Sequence, residues 1–80
     1  MEMDYKGFIL KPMSYKLAEA QWRPSIMVQK EVGHGAISTI RYGAKGQTFS
    51  TREEANQEAM RIGVVFVDAG IDLPGERPPQ

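Results

Sequence analysis

Residues 22–42 constrain the fold more than any other stretch of this chain. Trp22, Ile26, Val28 and Val32 alternate with Arg23, Met27, Gln29 and Glu31. A two-residue period sends successive side chains to opposite faces of a strand, one buried and one wet. Pro24 sits early in this strand, and its missing N–H points to an edge or a bulge there. Gly33-His34-Gly35-Ala36 reads as a hairpin turn, with glycines supplying the positive φ that tight turns demand. Residues 37–42, Ile-Ser-Thr-Ile-Arg-Tyr, return as the next strand, and Gly43-Ala44-Lys45-Gly46 closes it.

Upstream, residues 4–11 read as a further strand, because Tyr5, Phe8, Ile9 and Leu10 suit a pleated surface. Continuous alternation puts Lys6, Phe8 and Leu10 on one face and Tyr5, Gly7, Ile9 and Lys11 on the other. Pro12 ends it. Residues 12–21 are read as a loop holding at most a short helical turn capped by Ser14, since so short a helix is marginal in water.

Downstream, Ser50-Thr51-Arg52-Glu53-Glu54 contains two overlapping capping boxes, Ser50 with Glu53 or Thr51 with Glu54. Ala55, Ala59, Ile62, Phe66 and Ala69 then form one apolar helical stripe, and Gly70 suits the position just past the helix end. Gly63-Val64-Val65-Phe66-Val67 has poor helix propensity, so a fourth strand at 63–67 is the alternative. The expected fold is α+β, a three-stranded antiparallel meander with one C-terminal helix packed on one face (β-β-β-α). It forms a single domain at 4–70, followed by a disordered, proline-rich tail at 73–80. Trp22, Ile26 and Val28 are expected to meet Ala59, Ile62 and Phe66, which leaves the second sheet face uncovered.

Size and composition narrow the function. An 80-residue chain buries only about 60% of its unfolded surface, so its core is thin. With no cysteine, disulfides, thiolate zinc sites and cysteine nucleophiles are excluded, and stability rests on packing, alone or with self-association. No apolar run approaches a membrane span, and Met1-Glu2-Met3-Asp4-Tyr5-Lys6 lacks the apolar core of a signal peptide, so a cytoplasmic bacterial protein is expected. The net charge is zero, but residues 1–50 carry seven basic against four acidic groups and residues 51–80 three against six. That split is either chance or a mildly basic sheet beside an acidic helix.

Reactive constellations are scarce. His34, the only histidine, has no carboxylate within two residues and reads as a solvated turn residue. Residues 43–51 resemble a phosphate loop only superficially, because Lys45 precedes Gly46 and the following helix start carries Glu53 and Glu54. Trp22, Arg23, Arg41, Tyr42 and Lys45 are the best candidates for a recognition surface, since basic groups among aromatics can stack bases and neutralise phosphates. Against that stand a core role for Trp22, an edge-covering role for Tyr42 and a sequence pI near 6.6. Met27 falls opposite Trp22 on the uncovered side with Arg23, Ser25 and Gln29, where it can seed a contact; Met13 and Met60 are adaptable apolar fillers.

Tyr5-Lys6-Gly7-Phe8-Ile9 with Pro12, a tryptophan opening the second strand, Phe49-Ser50-Thr51-Arg52-Glu53-Glu54-Ala55 and Phe66-Val67-Asp68 together make a pattern. It is similar to the domain of the HlyU transcriptional-activator family, across about residues 5–69. The Gly33–Gly35 turn and the proline-rich tail depart from that family. The resemblance implies a small regulatory or nucleic-acid-associated protein without catalytic residues. The expectation is therefore a non-enzymatic interaction module that needs no cofactor or metal and acts through Arg23, Met27, Arg41, Tyr42 and Lys45. Its partner is a second copy or another protein, with nucleic-acid binding as the alternative and no membrane role.

Overall fold

In the computed structural model, which describes residues 2–70, a tight turn and a proline divide the expected strands and a further strand forms, giving six. They are β1 (Met3–Tyr5), β2 (Phe8–Pro12), β3 (Tyr15–Ala18), β4 (Gln21–Arg23), β5 (Ser25–Val32) and β6 (Gly35–Tyr42), followed by helix α1 (Arg52–Asp68). The α+β class and the C-terminal helix stand. The three-stranded meander does not: one antiparallel sheet has the order β1-β2-β5-β6, and β3 pairs only with β4 in a separate ribbon. The expected tail at 73–80 lies outside the described residues.

Each correction has a local cause. Lys6 and Gly7 adopt φ of 50° and 86°, forming a two-residue turn with Tyr5 opposite Phe8. Positive φ at both central positions matches the twist of a tight hairpin, and Gly7 supplies one of the two without a Cβ penalty. The turn reverses the chain, so Met3 and Tyr5 share a face with Phe8 and Leu10 rather than opposing them. Residues 12–21 form no helical turn. Ser14 is buried, and its Oγ accepts the Ser25 N–H at 3.4 Å instead of capping a helix. Ala20 takes φ of 55° at the ribbon's tip.

Pro24 separates β4 from β5, and its carbonyl accepts the Gly43 N–H at 3.0 Å. That break takes Trp22 away from the middle of the helix. Trp22 instead exchanges backbone hydrogen bonds with Phe49 (2.7 and 2.9 Å), and the Arg52 guanidinium lies 5.1 Å from its ring. The turn between β5 and β6 is only Gly33-His34, with Val32 opposite Gly35.

The helix covers the sheet face that carries Leu10, Ile26 and Val28, all fully buried beneath Ala59 and Phe66. Residues 63–67 are helix, not a fourth strand, despite their propensity. Gly63 is buried, and a Cβ there would lie 2.7 Å from Ile26 Cδ1 and 3.3 Å from both Leu10 δ-carbons. The glycine therefore sets how closely the helix approaches the sheet, and the packing gained outweighs its poor propensity. Ala69, expected at the end of the buried stripe, is exposed.

Both helix ends are tied. Of the two capping boxes, Thr51 supplies the cap: its Oγ1 accepts the Glu54 N–H at 3.2 Å. The Ser50 and Thr51 hydroxyls donate to the Glu54 carboxylate, which lowers its pKa. At the other end Gly70 takes φ of 71° and donates to the Val67 carbonyl at 3.0 Å. Asp68 stands at the negative end of the helix dipole, an unfavourable place for a carboxylate. The Lys6 ammonium, at 2.7 Å, and the Tyr5 hydroxyl, at 2.9 Å, compensate it and pin the helix end to the β1–β2 turn.

Two tests follow from this packing. Gly63→Val should lower unfolding stability by about 2 kcal/mol through overpacking. Gly63→Ala should cost less, because a propensity gain of about 1 kcal/mol opposes the crowding. Urea denaturation measures both, and a valine variant as stable as the parent would refute the close approach. The Asp68 carboxyl is held below its usual range, first by the Lys6 hydrogen bond and then by Tyr5. A depressed carboxylate stabilises the folded state above its unfolded pKa of about 4, and this stability is lost as pH falls through the lower folded value. Asp68→Asn should therefore melt below the parent near neutral pH, with the gap closing in acid. A gap independent of pH would contradict the clamp.

Candidate interaction surface

Strand alternation puts Ile9, Lys11, Met27, Gln29, Ser38, Ile40 and Tyr42 on the sheet face away from the helix. The register aligns them: Met27 stands opposite Lys11 on one side and Ile40 on the other, with Ser25 opposite Tyr42 in the next row. Pro24 lets the β3–β4 ribbon extend this face. Tyr15 pairs with Arg23 across the ribbon, and its ring meets Tyr42 edge to face, with centroids 6.4 Å apart and planes at 88°.

The Arg23 guanidinium lies 5.1 Å from the Tyr42 ring, and Nη1 donates to the Tyr15 hydroxyl at 3.4 Å. Arg23 Nε is shielded and finds no acceptor among the described residues, so aromatic contact rather than an ion pair holds this cation. Tyr42 is 50% exposed and Ile40 39%, so an apolar and aromatic strip runs from Met27 over Ile40 to Tyr42 and Tyr15. Leu17, further along the ribbon, is 54% exposed.

Of the residues expected to form a surface, Arg23, Met27 and Tyr42 lie on this side of the protein. Arg41 does not. It neighbours Tyr42 in a strand and so points the other way, where its guanidinium sits 4.6 Å from the Phe66 ring at the edge of the core. Lys45 is exposed in the turn beyond β6. Trp22 faces the helix start beside Arg52. His34 is exposed at the β5–β6 turn, and no metal-ligating cluster occurs among the described residues.

Tyr15, Leu17 and Ile40 were not singled out by sequence. Period-2 spacing of Tyr15 and Leu17 was the available signal, obscured by the short polar stretch around Glu19.

The face is electrically polar. At the end away from Tyr42, Asp4, Gly7, Phe8, Ile9 and Glu31 line a shallow groove of about 260 Å³. The Arg23 end and this acidic end lie about 20 Å apart along β5. The excess of basic groups in residues 1–50 does not gather here. Lys6 pairs with Asp68, Lys11 with Glu2 and Lys16 with Glu19, while Lys30 lies over the Phe8 ring on the helix side.

No described helix is long and apolar enough to cross a membrane. Comparison of the chain with models of known families, with curated proteins and with solved structures finds no match.

The Tyr15–Tyr42–Arg23 cluster contributes little to the fold. Replacing both tyrosines by serine should cost about 1 kcal/mol, the scale of an exposed aromatic pair with one cation–π contact. Urea denaturation checks this; a loss several times larger would make the cluster structural.

Proposed function

We propose that this chain is a non-enzymatic interaction module that binds a protein partner through its open sheet face, anchored at Tyr15, Tyr42 and Arg23. The observation that carries this reading is an aromatic pair and an arginine held together on a face that no other described element covers, continuous with half-buried Met27 and exposed Ile40. Tyrosine, arginine and methionine are enriched where proteins meet, and tyrosine and arginine dominate binding energy there. The rings already rest in place, so binding orders few side chains.

Nucleic-acid binding is the second reading. The exposed tyrosines beside Arg23 have the chemistry of a stacking platform. Its weakness is charge: the nearby lysines are paired or lie elsewhere, and the far end of the face is acidic.

Two measurements separate the readings. A photocrosslinker at Tyr42 should capture a protein in the native cell, whereas one at exposed Val65 on the helix should not. Arg23→Ser should abolish the capture. Equal capture from both positions would sink the protein-partner reading. A ¹⁵N-HSQC titration with single-stranded and duplex DNA should leave Tyr15, Arg23 and Tyr42 unshifted at physiological salt. Shifts there that weaken as salt rises would favour nucleic acid, because phosphate contacts release counterions.

A further inference from the structure

We infer that β6 pairs edge to edge with β6 of a second copy, joining two four-stranded sheets across a two-fold axis. The two edges of the sheet differ sharply. β1 has only three residues and carries Asp4, a short and charged edge that discourages pairing. β6 has eight residues, contains neither proline nor lysine and runs in unbroken register with β5. Its one charge, Arg41, is turned towards Phe66.

The β5–β6 turn fixes which backbone groups are free. With a two-residue turn, Val32 and Gly35 form a hydrogen-bonded pair, and such pairs recur at Ile37, Thr39 and Arg41. The N–H and C=O groups of Ala36, Ser38, Ile40 and Tyr42 therefore point away from β5. Among the described residues they have no backbone partner.

These four residues select one register. An antiparallel copy centred on Thr39 sets Ser38 opposite Ile40 of the second copy and Ala36 opposite its Tyr42. Every outward group is then used. Threonine faces threonine at the axis, a favourable cross-strand pair. Arg41 faces Ile37, so no like charges meet. The large Tyr42 ring faces a methyl side chain.

Charge argues for the same occupant. Glu31 lies opposite Ala36 on β5, so the acidic end of one face comes beside the Arg23–Tyr42 end of the other. The inference goes beyond the open-face reading and does not rest on it, because the edge and the face are different surfaces.

The test uses the full chain. Light scattering over a concentration series should show the mass rising from the 9.0 kDa monomer to twice that value. In the dimer, amide exchange at Ala36, Ser38, Ile40 and Tyr42 should slow as concentration rises. Two charged variants probe the register, one combining Ser38→Lys with Ile40→Lys and the other Ser38→Glu with Ile40→Glu. Each alone opposes like charges and should weaken self-association by roughly a hundredfold. Mixed together they should restore a heterodimer.

A monomer at every concentration overturns the inference. So does a dimer whose four amides exchange as fast as in the monomer, which would place the contact elsewhere, or variants that remain dimeric alone. Protection that is independent of concentration would mean that the chain covers its own edge, and overturns it too. If the variants fail to fold, exchange on the unaltered chain still decides.

Discussion

The seating of Gly63 on Ile26 and Leu10 is the contact on which the rest of this structure depends. A thin core cannot tolerate a gap between its layers, because dispersion falls away within an ångström of separation. Gly63 lets the helix backbone sit directly over the sheet, with Ala55 and Ala59 extending the same close seam. Phe66 then fills the space at one end, under the cation of Arg41. Small residues where the helix meets the sheet and a large one beyond them give a close helix-on-sheet packing with few bulky side chains. The stretch 63–67 looks weak as an isolated helix for the same reason that it packs well.

Much of this was legible in the chain. Alternation at Ile26, Val28 and Val32, the glycine turn after them and the Thr51–Glu54 cap all occur close to where the sequence puts them. The failures share a physical source. Lys6 and Ala20 adopt positive φ without being glycine or asparagine, so nothing in their identity announces a turn. At Lys6 the turn is tied to Asp68 by an ion pair, and that partner is 62 residues distant in sequence. The β3–β4 ribbon was hidden because its strands are short and almost wholly exposed, so they carry no strong burial pattern. Its existence rests on tertiary anchors: Ser14 held by Ser25 and Asn56, and Trp22 paired with Phe49.

The same distinction explains the surface. Tyr42 and Met27 could be placed from alternation alone, given that Ile26 and Val28 are inside. Arg41 could have been removed by the same rule, since a neighbour of Tyr42 in a strand must face the other way. Tyr15 could not be placed, because its meeting with Tyr42 depends on Pro24 ending one strand and opening another. Composition identified the kinds of side chain suited to recognition. Which of them converge was decided by a turn, a proline and a ribbon, none of which belongs to the face itself.

Among the described residues, one helix over a four-stranded sheet leaves half the sheet surface and one long edge without cover. In a larger domain a second layer would bury the open face, and flanking elements would protect the edge. This chain buries one face and blunts one edge, with the short β1 and its Asp4. On the other side Ile40, Tyr42 and Tyr15 are exposed, and no described strand pairs with the outer edge of β6. Exposed apolar surface carries an aggregation cost unless a specific partner occupies it. The edge and the face also meet along β6, where each outward backbone group belongs to a residue whose side chain points to the open face. A second copy paired at that edge would therefore not compete for the face. It would double the face's width and set the Arg23 end of one chain beside the acidic end of the other, converting two small open faces into one larger one.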